Sequence, residues 1–192
     1  RAKRIMEYFN KYAPDSKLTI YLRPEFIDDE FISILKDSNL KEIRIGIQTL
    51  NDNVPNWVRS NSLYHIKEEL PKLSNNNIPW KAELIIGLPG DNMVGLKKSI
   101  DFVEENLKPT EYCCYPLTII KGTEMYEYYL QGKINIDKSG MAISSYSYNN
   151  DELLDMQEYS KLRMNKYLQA NYHDLDLDKK IKRNKVMIKS IE

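Results

Sequence analysis

Two strand-like segments of this sequence carry polar side chains that could hydrogen-bond a ligand. Gln48 ends the apolar segment 42–48, and its side-chain amide, with two donors and one acceptor, suits ribose hydroxyls or a carboxylate. The second segment, 82–90, carries Glu83 and ends in a Gly-Leu-Pro-Gly turn that begins at Gly87. Ligand sites of parallel βα folds lie at the carboxyl ends of the strands. We therefore expect Gln48, Glu83 and this turn to crowd one rim.

Four apolar segments alternate with segments that have helical periodicity, and these elements must position the polar side chains. The predicted strands are 17–22, 41–48, 80–87 and 111–117. The third is nearly continuous in apolar residues after Lys81 and Glu83, as expected for a strand covered on both faces. The alternation predicts an α/β fold with a parallel-stranded partial barrel of the TIM type. Four strands, or about four βα units, make only half of such a barrel, because their arc is too small to close.

The helices are predicted from apolar spacing and capping residues. Asp28 is suited to be an N-cap, and the last helix is predicted from Asp151 to about Tyr172, after a Ser- and Tyr-rich connection. Its predicted buried stripe is Leu154, Tyr159, Leu162 and Leu168. We assign residues 1–135 to the barrel half and residues 136–192 to the connection, the C-terminal helix and a tail.

Composition limits the partners of the chain. Its 192 residues include 28 Lys and Arg and 28 Asp and Glu, so no net charge attracts nucleic acid or an anionic membrane. No stretch approaches the roughly 18 apolar residues of a membrane span. We expect a cytoplasmic protein that binds neither nucleic acid nor membrane. The two cysteines, Cys113 and Cys114, are adjacent and would point to opposite faces of a strand, so they predict no metal site.

Four short motifs occur in order at the ends of the predicted strands. They are Leu22-Arg23-Pro24-Glu25, Gly46-Ile47-Gln48-Thr49 followed by Val54 and Arg59, Glu83 through Gly90, and Pro116-Leu117 with Lys121 through Glu124. This succession resembles the latter part of the radical S-adenosylmethionine (SAM) enzymes, particularly the branch with an upstream cobalamin-binding domain. The resemblance covers about residues 1–130 continuously.

The resemblance implies a reaction that this chain would not perform alone. In the family, a three-cysteine loop, CxxxCxxC, holds a [4Fe-4S] cluster that reduces SAM and releases a 5'-deoxyadenosyl radical. This sequence has no such spacing, so the cluster ligands are expected in a missing N-terminal half of the same protein. The start at Arg1, without Met and within a helical pattern, also predicts an excerpt. The implied cofactors are SAM, the cluster and, through this branch, cobalamin; the implied substrate is an unknown organic molecule.

Five positions are carried over from the family as cofactor-binding residues: Arg23, Gln48, Arg59, Glu83 and Gly87. Gln48 matches a cofactor-contacting Gln, and Glu83 matches an Asp or Glu that faces the cofactor. Arg59 stands one residue before the common position of an Arg that suits the methionyl carboxylate. Each has a structural alternative: a strand-end cap for Gln48, surface charges for the arginines, a turn for Gly87 and an ion pair for Glu83 with a nearby lysine, Lys81 or Lys121.

One departure from the family favours a different class of function. Tyr21 stands where relatives usually have an acidic residue for the cofactor's amino group, so Glu25 or Glu83 would have to supply that charge. Together with the absent cysteines, this supports an alternative, a non-catalytic scaffold derived from a barrel half. A phosphate-binding barrel enzyme is disfavoured because the turn at Gly87 lacks a Lys- or Ser-rich cradle. In every case the outer edge of strand 17–22 is expected to be unpaired and open to association.

Overall fold

A computed structural model describes residues 1–59 and 62–171, and its centre is one parallel sheet. The strands are β1 (Leu18–Leu22), β2 (Leu40–Gln48), β3 (Trp80–Ile86) and β4 (Glu111–Pro116). They lie in the order β1-β2-β3-β4, and each neighbouring pair is parallel. An order without reversal is the arrangement of a barrel arc rather than of a doubly wound sheet. The predicted fold class and all four predicted strands are confirmed.

Helices connect the strands in the order that the sequence predicts. They are α1 (Ala2–Tyr12), α2 (Asp29–Lys36), α3 (Asn56–Arg59), α4 (Pro71–Asn75), α5 (Met93–Phe102), α6 (Glu124–Leu130) and α7 (Asn150–Asn171). A 3-10 turn occupies Pro24–Phe26, and π-helical turns occupy His65–Glu69 and Val103–Leu107. None of the helices in the described ranges is long and apolar enough to cross a membrane.

Side-chain caps set the start of several of these helices, among them α2 and α5. The Asp28 carboxylate accepts a hydrogen bond from Phe31 N at 2.8 Å, which confirms the predicted N-cap of α2. The Asn92 side chain accepts one from Gly95 N at 3.0 Å and begins α5 directly after the turn that follows β3. The caps therefore fix the helices relative to the carboxyl ends of β1 and β3.

One face of the sheet packs beneath the helices and forms the main core. We call it the apolar face. On β2 and β3 it consists of Ile43, Ile45, Ile47, Trp80, Ala82, Leu84 and Ile86, all nearly inaccessible to solvent. These side chains share one cluster with buried residues of α2 and α5, including Phe31, Leu35, Leu96 and Ile100. Burial of this face supplies most of the hydrophobic stabilisation of the sheet.

A short hairpin that the sequence did not predict covers the carboxyl rim of the sheet. Its strands, β5 (Ile134–Ile136) and β6 (Ala142–Ser145), are antiparallel, and β6 lies within the segment expected to be a plain connection. Ile134 and Ala142 are buried in a second cluster with Val54, Leu88, Leu117 and Ile119. Strands of three and four residues carry too little alternation to be recognised in a sequence.

α7 packs beside β4 on a stripe that the sequence placed incorrectly. The Cys114 N–H donates to Met164 Sδ at 3.3 Å, so this helix lies against the strand. Its buried residues are Leu153, Met156, Ser160, Met164 and Leu168. The prediction of Leu154 and Leu162 was wrong, since both are about half exposed. It followed the aliphatic residues, whereas the true stripe includes two methionines and a serine at helical spacing.

β1 forms one edge of the sheet. Among the described residues only β2 pairs with it, as the sequence predicts for strand 17–22. The predicted tail beyond residue 171 lies outside the described residues, and the assigned boundary at residue 135 stays a prediction.

Candidate functional site

The face of the sheet opposite the apolar core is polar. Side chains at alternate positions of a strand point to the same side, so the residues between the core positions share this face. We call it the polar face; its charged, amide and hydroxyl members are Thr19, Tyr21, Glu42, Arg44, Gln48, Lys81, Glu83, Glu111 and Tyr115. A sheet that needed only a second apolar layer would not carry these groups, so this face is the candidate site.

Arg44 and Glu83 form the centre of the polar face. The Arg44 guanidinium donates to Glu42 Oε1 at 2.8 and 2.6 Å, and to the Tyr21 hydroxyl at 3.2 Å. Its Nη1 lies 4.0 Å from Glu83 Oε1. Burial raises the pKa of Glu83, and the opposing effect of Arg44 and Lys81 does not cancel this shift. Glu83 is therefore a half-buried carboxyl group whose charge is only partly compensated, a common property of ligand-binding carboxylates.

A buried ion pair lies deeper on the same face. Lys81 is 1% exposed, and its Nζ lies 2.6 Å from Glu111 Oε1. The Cys113 thiol donates to the same oxygen at 3.8 Å. Burial opposes the charge of Lys81, but neighbouring Cys113 and Glu111 raise its pKa. This lysine forms its ion pair with Glu111, and its charge also acts to lower the pKa of Glu83.

Gln48 ends β2 in an unusual backbone conformation. Its φ is 66°, a left-handed value that is uncommon for residues other than glycine, and Thr49 N donates to Ile47 O at 2.9 Å across it. A Cβ at Gly46 would collide with Gln48 Nε2, so the glycine makes room for the amide. The turn directs the Gln48 side chain back across the polar face.

A cavity of about 470 Å³ lies at the rim next to Gln48. Its lining includes Gln48, Trp57, Ile85, Leu88, Leu117 and Glu124. Apolar and aromatic walls with a few polar groups are typical of sites for organic ligands. Ile85 joins this cavity to Glu83, because the two side chains are neighbours on one face of β3. The arrangement can hold a flat apolar group in the cavity while polar atoms of the same ligand reach the sheet.

Two glycines form the turn after β3, and residues near the start of α7 pack against it. Gly87 has a φ of 87°, and its carbonyl accepts a hydrogen bond from the Tyr148 hydroxyl at 2.5 Å. A Cβ at Gly87 would lie 3.1 Å from both Tyr148 and Leu153. A Cβ at Gly90, whose φ is 89°, would lie 2.5 Å from the Asn53 carbonyl oxygen. The position of Gly87 therefore serves the packing of the turn against α7 and the segment before it.

Of the two predicted arginines, one lies away from this centre, and the side chain of the other is outside the described part of the structure. Arg23 follows β1 and is exposed, with its Nε 3.3 Å from Glu25 Oε2. Burial would raise the pKa of Glu25, but the Ser62 amide and Arg23 lower it below its ordinary value. Arg59 ends α3, and its side chain lies outside the described part of the structure.

The strand register brings three of the five predicted residues to adjacent positions. Gly46 pairs with Glu83 and Gln48 with Leu84, so Gln48 and Glu83 lie on neighbouring strands near the rim, and Gly87 follows β3 directly. Sequence reasoning missed Arg44, although its place between Glu42 and Gln48 at alternate positions was a readable signal.

No family model matches the chain. A tRNA uridine(34) acetyltransferase of Methanocaldococcus jannaschii is 24% identical over 166 residues, which cover 83% of this chain and 28% of the relative. Coproporphyrinogen III oxidase (HemN) of Escherichia coli, a radical SAM enzyme, superposes with a TM-score of 0.61 at 16% identity, over 86% of this chain and 36% of HemN. The chain has the fold of radical SAM enzymes.

A cobalamin-containing neighbour shares the same fold. TsrM of Kitasatospora setae, a radical SAM methyltransferase with cobalamin and a [4Fe-4S] cluster bound, superposes with a TM-score of 0.55 at 15% identity. The match covers 71% of this chain and 27% of TsrM. The chain spans 28% of the length of the acetyltransferase relative and 27% to 36% of the length of these two neighbours.

The residues present do not fit an iron–sulfur cluster. Cys113 and Cys114 are the two cysteines of the sequence, and both are buried. Burial raises the pKa of each thiol, whereas cluster ligands are thiolates. Within residues 1–59 and 62–171, no three His, Cys, Asp or Glu side chains converge as a metal site.

Proposed function

We propose that this chain is the C-terminal part of a radical SAM enzyme and forms one wall of its SAM and substrate cavity. The observation that carries the proposal is the placement of Gln48 and Glu83 on neighbouring parallel strands: the Gln48 amide lies against Gly46, opposite Glu83, and Gln48 also lines the rim cavity. The fold shared with HemN and TsrM supports it. The partner would be the N-terminal half of the same protein, and the chain would be inactive without it.

Each candidate residue has a role that its chemistry allows. The Gln48 amide binds ribose hydroxyls or the carboxylate of SAM, and the apolar lining of the rim cavity accommodates the adenine. Glu83 accepts hydrogen bonds from ribose hydroxyls or the methionyl ammonium group, and Arg44 orients it. Arg59 binds the methionyl carboxylate, and Arg23 contributes a second cation. Gly87 acts through the turn that it forms.

The remaining cofactors belong to the proposed whole protein. A [4Fe-4S] cluster held by the N-terminal half would supply the electron that cleaves SAM. Cobalamin is supported by the likeness to TsrM, and the described residues add no ligand for it. We keep an unidentified organic molecule as the substrate, with a cytoplasmic location. The tRNA named for the acetyltransferase relative is not extended to this chain, whose formal net charge is zero.

The proposal is tested by reconstituting the whole polypeptide anaerobically with iron and sulfide and measuring 5'-deoxyadenosine. We expect product from the wild type, and a loss of about tenfold or more in kcat/KM for SAM in Glu83→Gln and Gln48→Ala. Glu158→Gln is the matched control, because Glu158 is an exposed carboxylate of α7. Absence of product despite an intact cluster would contradict the proposal.

One observation favours a non-catalytic scaffold instead. The strongest charges of the polar face are already paired within the chain, Arg44 with Glu42 and Lys81 with Glu111. A face neutralised in this way needs no ligand. A scaffold would bind no SAM, and its gene would encode no preceding CxxxCxxC segment, so these two observations discriminate between the functions.

A further inference from the structure

The left-handed turn at Gln48 is followed by residues that are held unusually firmly. Thr49 is 1% exposed, and its hydroxyl donates to Asp91 Oδ2 at 3.2 Å. The same hydroxyl oxygen accepts from Asn51 N at 3.0 Å. A non-glycine residue persists in a strained conformation only where its surroundings determine the backbone. The hydrogen bonds of Thr49, the residue directly after Gln48, therefore help to hold the Gln48 backbone in its left-handed conformation.

Asp91 joins the loop after β2 to the loop after β3. This carboxylate is 2% exposed and accepts three hydrogen bonds, from Thr49 Oγ1, from Asn51 Nδ2 at 2.8 Å and from Asn92 N at 2.9 Å. None of these donors carries a charge. Asp91 thus bridges the segment after Gln48 to the residues that directly precede α5.

Ser99 of α5 completes the attachment. Its hydroxyl is 1% exposed, accepts from Leu50 N at 2.9 Å and donates to Gly95 O at 2.9 Å. The N–H of Leu50 would be buried without a partner if this hydroxyl were removed, because Leu50 is itself buried. Two consecutive residues after Gln48 are therefore fixed by side chains from β3's loop and from α5.

We propose that Asp91 and Ser99 are positioning residues that hold Gln48 in its left-handed conformation and thereby aim its amide at the rim cavity. They touch no ligand and act through the backbone of residues 49–51. The positioning of Gln48 stands on the geometry alone. Its consequence for ligand binding rests on the proposed function.

The chain contains a matched pair of serines for the test. Ser99 and Ser160 are both buried, and both donate to a carbonyl of their own helix, but only Ser99 also accepts from the loop after Gln48. NMR of this chain reports the φ angle of Gln48 through its three-bond HN–Hα coupling and intraresidue NOE. We expect Ser99→Ala and Thr49→Val to lose the left-handed signature, and Ser160→Ala and the conservative Thr49→Ser to keep it.

Titration of SAM into the whole polypeptide provides the second readout. We expect Ser99→Ala to weaken binding about tenfold and Ser160→Ala to leave it unchanged. Retention of the left-handed signature in both Ser99→Ala and Thr49→Val would overturn the positioning role. A Ser99→Ala chain that fails to fold would also overturn it, because the network would then serve the fold rather than Gln48.

The two readouts separate this inference from the proposed function. If Gln48 changes conformation in the variants but the wild type binds no SAM, the positioning role stands and the proposed function fails. If SAM binds equally to the wild type and Ser99→Ala, the proposed aiming of the Gln48 amide at the ligand fails, whereas the proposed binding of SAM by the whole polypeptide stands.

Discussion

The two faces of the same four strands have opposite chemistry. The apolar face is aliphatic and aromatic, and the helices cover it completely. The polar face carries an arginine, a lysine, three glutamates and a glutamine, several of them half-buried. Burying charged groups costs free energy that pairing offsets only in part, so a sheet selected only for stability would not contain them. The difference indicates that one face maintains the fold and the other is available for function.

The first prediction concerns the ion pair of Lys81 and Glu111, which is the part of the polar face that is buried like the core. Lys81→Met should lower the free energy of unfolding by about 3–5 kcal/mol, because it removes the cation that compensates the charge of the buried Glu111 carboxylate. The double variant Lys81→Met/Glu111→Leu should recover most of this loss, since two apolar side chains replace the pair. Urea denaturation measures both. Equal stability of Lys81→Met and the wild type would show that the ion pair is not buried as described.

Adjacent residues of β3 provide the second prediction, because they point to opposite faces. Leu84→Ala should cost about 2–5 kcal/mol, since Leu84 is completely buried in the core. Glu83→Gln should cost no stability at neutral pH while weakening SAM binding in the whole polypeptide. Urea denaturation and a SAM titration measure the two effects. A destabilisation of the same size at both positions would remove the distinction between the faces.

The third prediction tests the conformation of Gln48. Gln48→Gly should be more stable than Gln48→Ala by about 1 kcal/mol, because glycine adopts a positive φ without steric cost. Both variants should lose SAM binding to the same extent, since both lack the amide. Gln157 in α7 is the control, where glycine should be less stable than alanine by about 1 kcal/mol. The same order at both positions would show that Gln48 is not left-handed in solution.

The fourth and smallest effect is on pH dependence. Burial raises the pKa of Glu83 above its ordinary value of 4.5, so the folded state binds this proton more tightly than the unfolded state does. Its contribution to stability is therefore unchanged below the ordinary pKa and falls as pH rises from there through the raised value. Glu83→Gln should accordingly gain stability relative to the wild type over that window, measured by urea denaturation in a pH series. A difference in free energy of unfolding between the two proteins that stays constant across the pH series would contradict the raised pKa.

The sequence was sufficient for features that depend on local patterns. The four strands follow from runs of apolar residues, and the N-cap at Asp28 follows from residue type and position. The stripe of α7 was misplaced because Met156, Ser160 and Met164 were not recognised as core residues. The hairpin of β5 and β6 escaped notice because its strands are very short.

The sequence predicted only those residues of the candidate site whose own type and position indicate a role. Gln48 was predicted from its place at a strand end and Glu83 from its match to an acidic position of the family that the sequence resembles. The parallel register places Glu83 opposite Gly46, two residues before Gln48. The attachment of Gln48 through Asp91 and Ser99 joins residues separated by 42 and 49 positions along the chain. Such contacts depend on how two loops and a helix approach one another, which no local pattern specifies.

The most direct test of the polar face as a ligand wall is calorimetric titration of SAM into the whole polypeptide, comparing Glu83→Gln with Glu158→Gln. Both substitutions remove one carboxylate, but only Glu83 lies on the polar face. We predict about tenfold weaker binding for Glu83→Gln and unchanged binding for Glu158→Gln. Equal affinity of the two variants and the wild type would contradict the account.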